Sequence, residues 1–356
     1  MIIPTEPIGS IPRPVELISA IKAAEEGRLA PDQLAALCDA AVVDTLRRFE
    51  EAGSPVVSDG EQRKNHNFAD YCVHGLPNFS PDGFRLQFLD HYRQWPRLTA
   101  GPLRYANRSD RHVAFAVRNT RLPVKQAVIS PSALSLFYPA QPIADYAREQ
   151  FIEDLLAEHE AEIRGCFFFG AHSVQVDFTE GRLACKLDPS GRLLANFVRL
   201  NNLALSRFTE AERGRIGIHT CPGGDCDSTH SADVDYAELL PSLFELKARN
   251  FFVALARERN RGRVLDMIRR HLRANQRVFV GVIDVLDPRI ETAAEVRDRV
   301  LEAAEYIPLA QLGTTDDCGY SPFCDDVSTT REKAFAKIRA RVEGTAWAAD
   351  LLSSRN

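Results

Sequence analysis

Arg215-Ile216-Gly217-Ile218-His219-Thr220-Cys221 is a short apolar run that ends in two side chains able to bind metal. Its shape recurs along the chain. Runs rich in Val, Ile and Phe at 2–9, 55–59, 124–130, 173–178, 250–255, 277–284 and 312–317 make, with 215–220, eight predicted strands. Long stretches with apolar residues at i, i+3, i+4 spacing lie between several of them. One covers 34–52 and stops at Gly53, one covers 144–169 and stops at Gly170, and one covers 293–306 after an acidic start. Strands alternating with helices specify β–α units and a parallel sheet, so the expected fold is a (β/α)8 TIM barrel.

The stretch 66–123 breaks the rhythm, with Phe84, Phe88, Tyr92, Trp95 and Tyr105 followed by an alternating run at 112–117. It reads as an insertion after the second strand, carrying a small hairpin that serves as a lid or as a dimer contact. The second role would make the protein a homo-oligomer. Barrels of ~250 residues or more form one unit, so residues 1–356 are expected to be a single domain.

With 45% hydrophobic and 26% charged residues the composition is that of a globular protein. Lys+Arg 44 against Asp+Glu 49 gives a net charge of −5, which argues against nucleic acid as partner and favours a small molecule. No run approaches the ~18 apolar residues of a membrane span, and Met1-Ile2-Ile3-Pro4-Thr5-Glu6-Pro7 lacks the basic and then apolar pattern of a signal peptide. A cytoplasmic protein with no membrane association is expected. In that reducing setting the 8 cysteines are core filler, metal ligands or reactive thiols rather than disulfides. Cys38, Cys72, Cys166 and Cys185 read as packing residues, which sets Cys221, Cys226, Cys318 and Cys324 apart.

Active sites of such barrels lie at the C-terminal ends of the strands. Those ends read Ile8-Gly9-Ser10, Ser58-Asp59-Gly60-Glu61, Gln175-Val176-Asp177, His219-Thr220-Cys221, Glu258, Asp284 and Asp316-Asp317-Cys318-Gly319. A period of two points His219 and Cys221 to the same face. Imidazole and thiolate together suit zinc, and Cys318 completes a third ligand if the sheet closes. Two other readings stay open: a hydrogen-bonded strand-end histidine beside inert thiols, or a closed four-cysteine site that adds Cys226 and Cys324.

The segments Ile8-Gly9-Ser10-Ile11-Pro12-Arg13-Pro14, Asp59-Gly60-Glu61, Gln175-Val176-Asp177, His219-Thr220-Cys221, Asp287-Pro288-Arg289-Ile290 and Asp317-Cys318-Gly319 resemble, in order and spacing, the catalytic barrel of cobalamin-independent methionine synthase. The resemblance spans nearly the whole chain and is to the shorter, single-barrel members. It implies a zinc-dependent thiol alkyltransferase that methylates homocysteine to methionine. His219, Cys221 and Cys318 would be both zinc ligands and the catalytic centre, because metal coordination deprotonates a thiol whose reference pKa is about 8.5. Ile8, Gly9 and Ser10 would hold the substrate carboxylate, and Glu61 and Asp177 its ammonium. The family's fourth ligand is a glutamate at the end of the seventh strand. Ungapped placement puts Ala254 or Ala256 there, so Glu258 is nominated, with Glu245 as a weaker candidate.

Two departures concern the alkyl donor. Leu286 stands where the family uses a histidine to protonate the folate leaving group, and Phe137 is the nearest counterpart of a tryptophan that faces the pterin. Methyl-folate is therefore expected to be a slow donor and methylcobalamin a better one. An epoxide opened by a thiol such as coenzyme M is the alternative reaction, with His66, His74 and Tyr92 as the local proton sources. An alternative of another class is a zinc-stabilised barrel that binds a ligand without turnover.

Overall fold

The computed structural model describes residues 2–354. Six parallel strands form one sheet in sequence order: β1 (Lys125–Ile129), β2 (Ser173–Asp177), β3 (Ile216–Thr220), β4 (Asn250–Val253), β5 (Arg277–Ile283) and β6 (Leu312–Asp316). All six start and end within a few residues of the runs expected from sequence, and nearly every position in them is buried. Burial on both faces is why they read as continuous apolar runs.

The first two expected strands are reduced to single bridges, Thr5 to Thr314 and Val57 to Val124. Prolines account for this, since Pro4, Pro7 and Pro55 lack the N–H that a ladder requires. The wall still closes. Glu6 N–H donates to Thr314 O at 3.0 Å, Lys125 N–H to Val57 O at 2.8 Å, and Ile11 N–H to Gly60 O at 3.1 Å. Ser58 Oγ donates to Gly9 O at 2.8 Å, so a side chain bridges the seam that a strand ladder would otherwise fill.

Inside the barrel Phe252 and Phe279 stack at 4.6 Å. Room for these rings comes from Gly217 and Gly313, where an added Cβ would lie 2.5 Å from Phe252 and Phe279 respectively. Outside, the C-terminal helix Arg331–Ser353 packs against the helix Ala293–Ala304 and sends two cations inward. Lys337 pairs with buried Glu291 at 2.7 Å, and Arg341 with Asp316 at 3.3 Å.

Two local expectations change. The run 112–117 is helical, within Ser109–Arg118, because Val113 and Ala116 are buried at helical spacing and the alternation was incidental. The antiparallel pairs come earlier, Phe79–Ser80 with Arg97–Leu98 and Arg85–Gln87 with Tyr92–Gln94. The helix expected from 144 begins at Arg148, since Ile143 and Tyr146 pair across a turn in which Asp145 has φ 58°. Among the described residues no helix is long and apolar enough to cross a membrane.

Candidate functional site

His219 is the penultimate residue of β3 and Cys221 follows it by two, while Cys318 follows β6 by two. The curved sheet brings them together: one ligand atom of each lies within 4.8 Å of the others, and all three residues are buried. Cys221 Sγ and Cys318 Sγ are 3.2 Å apart. Both ring nitrogens of His219 are buried without a partner. A buried imidazole with nothing to bond is costly, so this donor set fits a soft divalent metal. The hydrogen bond from Cys221 and the neighbouring His219 hold the Cys318 thiol well below its ordinary range, and the same contact pushes Cys221 up.

Glu258 does not join this cluster. Its carboxylate pairs with Arg182 at 2.6 Å. The turn of the chain explains why. Asp317 Oδ1 accepts the N–H of Leu255 at 2.7 Å and of Ala256 at 2.8 Å, and Oδ2 accepts that of Arg257 at 2.9 Å. These bonds draw the end of β4 toward Cys318 and direct residue 258 away. Gly281 makes the approach feasible, because a Cβ there would sit 1.9 Å from Asp317 Oδ1. Glu245 is exposed and precedes β4, at the opposite end of the barrel. Cys226 is exposed and groups with Asp225 and Asp326, so the four-cysteine arrangement is not formed.

The cleft over the cluster is lined by Ile8, Ser10, Glu61, Asp177, His219 and Cys318, among others. The residues nominated for an amino-acid substrate are therefore brought to the metal-capable group. Gly9 is part of the same turn: with φ +156°, a Cβ there would come 3.1 Å from Glu61 Oε1. Ser10 Oγ accepts the Ser321 N–H at 3.2 Å and keeps its own proton to donate. Burial pushes the Asp177 carboxyl up to about 6, opposed by His219 in the adjacent strand.

Lys64 was not foreseen from sequence. It is buried, pairs with Glu61 Oε2 at 3.2 Å and sits 4.5 Å over the Tyr71 ring. Glu61 has φ 58°, a left-handed backbone in which a non-glycine residue is strained. Arg13 holds that turn, donating to Glu61 O at 2.9 Å and Lys64 O at 2.7 Å. Asp59-Gly60-Glu61-Gln62-Arg63-Lys64 carries the signal, a cation three residues past the acid, but a turn of this shape cannot be read from letters.

The inserted hairpin covers the mouth. Leu86 and Phe88 line the cleft over the cluster, and Arg93 fastens the hairpin. Its guanidinium meets Asp225 at 2.5 Å and Asp325 at 2.9 Å and lies 4.4 Å over the Phe323 ring, while His91 Nε2 contacts Asp225 at 2.7 Å. The proton sources nominated for epoxide opening lie elsewhere. His66 stacks on His74 at 4.7 Å and pairs with Asp70, and exposed Tyr92 is covered by Arg85.

Residues 3–344 match the family profile described as the catalytic domain of cobalamin-independent synthase. A methionine synthase of Sulfolobus acidocaldarius is 25% identical over 352 residues, covering 97% of this chain and 91% of that protein. The 5-methyltetrahydropteroyltriglutamate–homocysteine methyltransferase of Nitratidesulfovibrio vulgaris is 24% identical over 349 residues, 96% of this chain but 42% of that longer protein. Among solved structures, a B12-independent methionine synthase from Shewanella sp. W3-18-1 superposes with a TM-score of 0.79 at 20% identity, covering 99% of this chain and 100% of that one. At that identity the likeness is one of fold.

Proposed function

This chain belongs to the cobalamin-independent synthase catalytic-domain family, and from that premise we propose that it is a zinc-dependent methyltransferase acting on homocysteine. One observation carries the reading. One cleft brings His219 and Cys318, with Cys221 grouped beside them, to two carboxylates and a hydroxyl, which matches the thiol, ammonium and carboxylate of one amino acid. Bound zinc would lower the pKa of the acceptor thiol so that it reacts as thiolate. His219, Cys221 and Cys318 would hold the ion, which would supply a Lewis acid for the substrate sulfur. Asp177 and Glu61 attract the ammonium, and Ser10 with the turn at Ile8 and Gly9 orients the carboxylate. Fixing the sulfur in this way supplies the alignment that in-line alkyl transfer needs. We read the chain as one domain with an inserted hairpin, working in a reducing, cytoplasmic setting where its thiols stay free.

Lys64 divides the roles of the two acids. Because it already neutralises Glu61, Asp177 is the stronger ammonium partner. Asp177→Asn is expected to weaken homocysteine binding by roughly 1.5–3 kcal/mol, the range for a hydrogen bond to a charged group, and Glu61→Gln by less. Calorimetry with homocysteine and 2-mercaptoethanesulfonate checks this. Equal affinity for the two thiols in the unaltered protein would overturn the assignment, and preference for the sulfonate would favour epoxide opening. The reaction itself is tested by following methionine formation by mass spectrometry on zinc-loaded protein. Absence of transfer from methyl-folate, methylcobalamin and small epoxides alike would return the reading to a binding barrel.

A further inference from the structure

Beside the thiol cleft lies a second chamber that shares Phe68, Leu86, Thr179 and His230 with it. Its walls are largely apolar, with Phe84, Trp95 and Phe137 among them, and one acid, Glu180, interrupts them. Glu180 stands three residues beyond Asp177 and is 4% exposed. Its Oε1 accepts hydrogen bonds from the hydroxyls of Ser130, at 2.5 Å, and Ser132. The two hydroxyls lie 3.2 Å apart, and each also takes a donor. Ser130 Oγ accepts the Ala133 N–H at 3.0 Å, and Ser132 Oγ accepts Asn201 Nδ2 at 2.8 Å, so each hydroxyl has its own proton left to give.

Oε2 of the same carboxyl group is buried and has no partner. With Oε1 saturated by donors, a proton on Glu180 resides on Oε2. Burial pushes this acid up to about 7, against the pull of the two serines and with Asp177 adding to the rise. The other titratable group lining the chamber is His230, which burial and the charges of Lys186 and Arg182 push down to about 3. Its imidazole is neutral.

We propose that Glu180 is the proton donor for the leaving nitrogen or oxygen of the alkyl donor, in place of an acid at position 286. The proposal rests on the methyltransferase reading above. In the step, the acceptor thiolate forms a C–S bond as the C–N or C–O bond breaks. The electron pair of that bond stays on nitrogen or oxygen and takes the proton from Glu180 Oε2. The carboxylate left behind is reprotonated from solvent, and nothing is oxidised or reduced. An acid is thereby supplied from the end of β2, although position 286 on the β5 side is leucine. The expectation that methyl-folate is a slow donor rests on Leu286 and Phe137; with an acid at Glu180, methyl-folate is expected to be used.

Initial rates of zinc-loaded wild type and Glu180→Gln, at fixed homocysteine, test this with 5-methyltetrahydrofolate, propylene oxide and methylcobalamin. Glutamine keeps the size and the acceptor for the serines but has no acidic proton. With the nitrogen or oxygen donor that the wild type uses, the loss should exceed that with methylcobalamin by ~10²–10⁴-fold, because cobalt departs without a proton. The wild-type rate with that donor should fall above about pH 7, where Glu180 ionises. Independently of turnover, the infrared band of a neutral carboxylic acid should be present below that pH and lost in Glu180→Gln. If that variant is insoluble, Ser132→Ala removes one hydrogen bond to the carboxylate and should move the fall in rate to higher pH. Equal losses for all donors, or wild-type turnover with methylcobalamin alone, would overturn the proposal and leave the methyltransferase reading standing. No transfer to homocysteine from any of the three would overturn both.

Discussion

Cys221→Ser and Cys318→Ser are each expected to purify without zinc and without detectable methyl transfer, whereas the wild type is expected to hold about one zinc per chain. With three protein donors in the cluster, removing one leaves two, too few for a tight tetrahedral site. A serine hydroxyl cannot replace thiolate, being a harder ligand that stays protonated at neutral pH. Loss of a partner behind a ligand typically costs 10–100-fold in metal affinity, and loss of a ligand itself should cost more. Metal analysis of the purified variants decides the matter. Full zinc content in the double variant at 221 and 318 would defeat the assignment, and loss of zinc from a double variant at 226 and 324 would point to a structural site there.

Asp317→Ala should be the most destabilising single change near the mouth, at about 3–5 kcal/mol. Three backbone N–H groups, those of Leu255, Ala256 and Arg257, end on one buried carboxylate. Each buried donor left unpaired costs about 1–3 kcal/mol, reduced in sum when water enters the space or the loop relaxes. Asp317→Asn retains an acceptor oxygen and should cost less. Urea unfolding of the three proteins measures the differences. A loss under 1 kcal/mol for the alanine variant would show that the loop 255–258 holds its course without this anchor, and the explanation given for the outward turn of Glu258 would fail with it.

The legible parts of this fold are those where one residue type and one periodicity suffice. Strands β1 to β6 are buried on both faces, so their apolar runs mark them, and His219 and Cys221 project together because a strand repeats every two residues. Cys318 is reached by the same logic once the sheet is taken to close. What was misread depends on partners far along the chain. The run 112–117 alternates as a strand would, and only its packing beside the helix Arg148–Phe168 makes it helical. Glu258 follows the right strand, but Asp317 and Arg182, at sequence separations of about 60 and 76, decide where it points. Glu180 is plain to see as an acid after a strand end. Its burial against Ser130 and Ser132 of the preceding β–α turn is not, and that burial gives it a chemical role. Lys64 shows the same limit, since the acid three residues before it is legible but its burial is not.

The hairpin fastened by Arg93 touches both chambers, with Leu86 common to the two, Phe88 over the thiol cleft, and Phe84 and Trp95 over its neighbour. If the hairpin lifts as one piece, both chambers open together. Release of methionine and of the spent donor would then be a single kinetic event rather than two, and a closed hairpin would keep water from the activated carbon. Weakening its hinge pin, as in Arg93→Ala, should accordingly raise the dissociation rates of both ligands in parallel and allow donor to be hydrolysed without methionine being made.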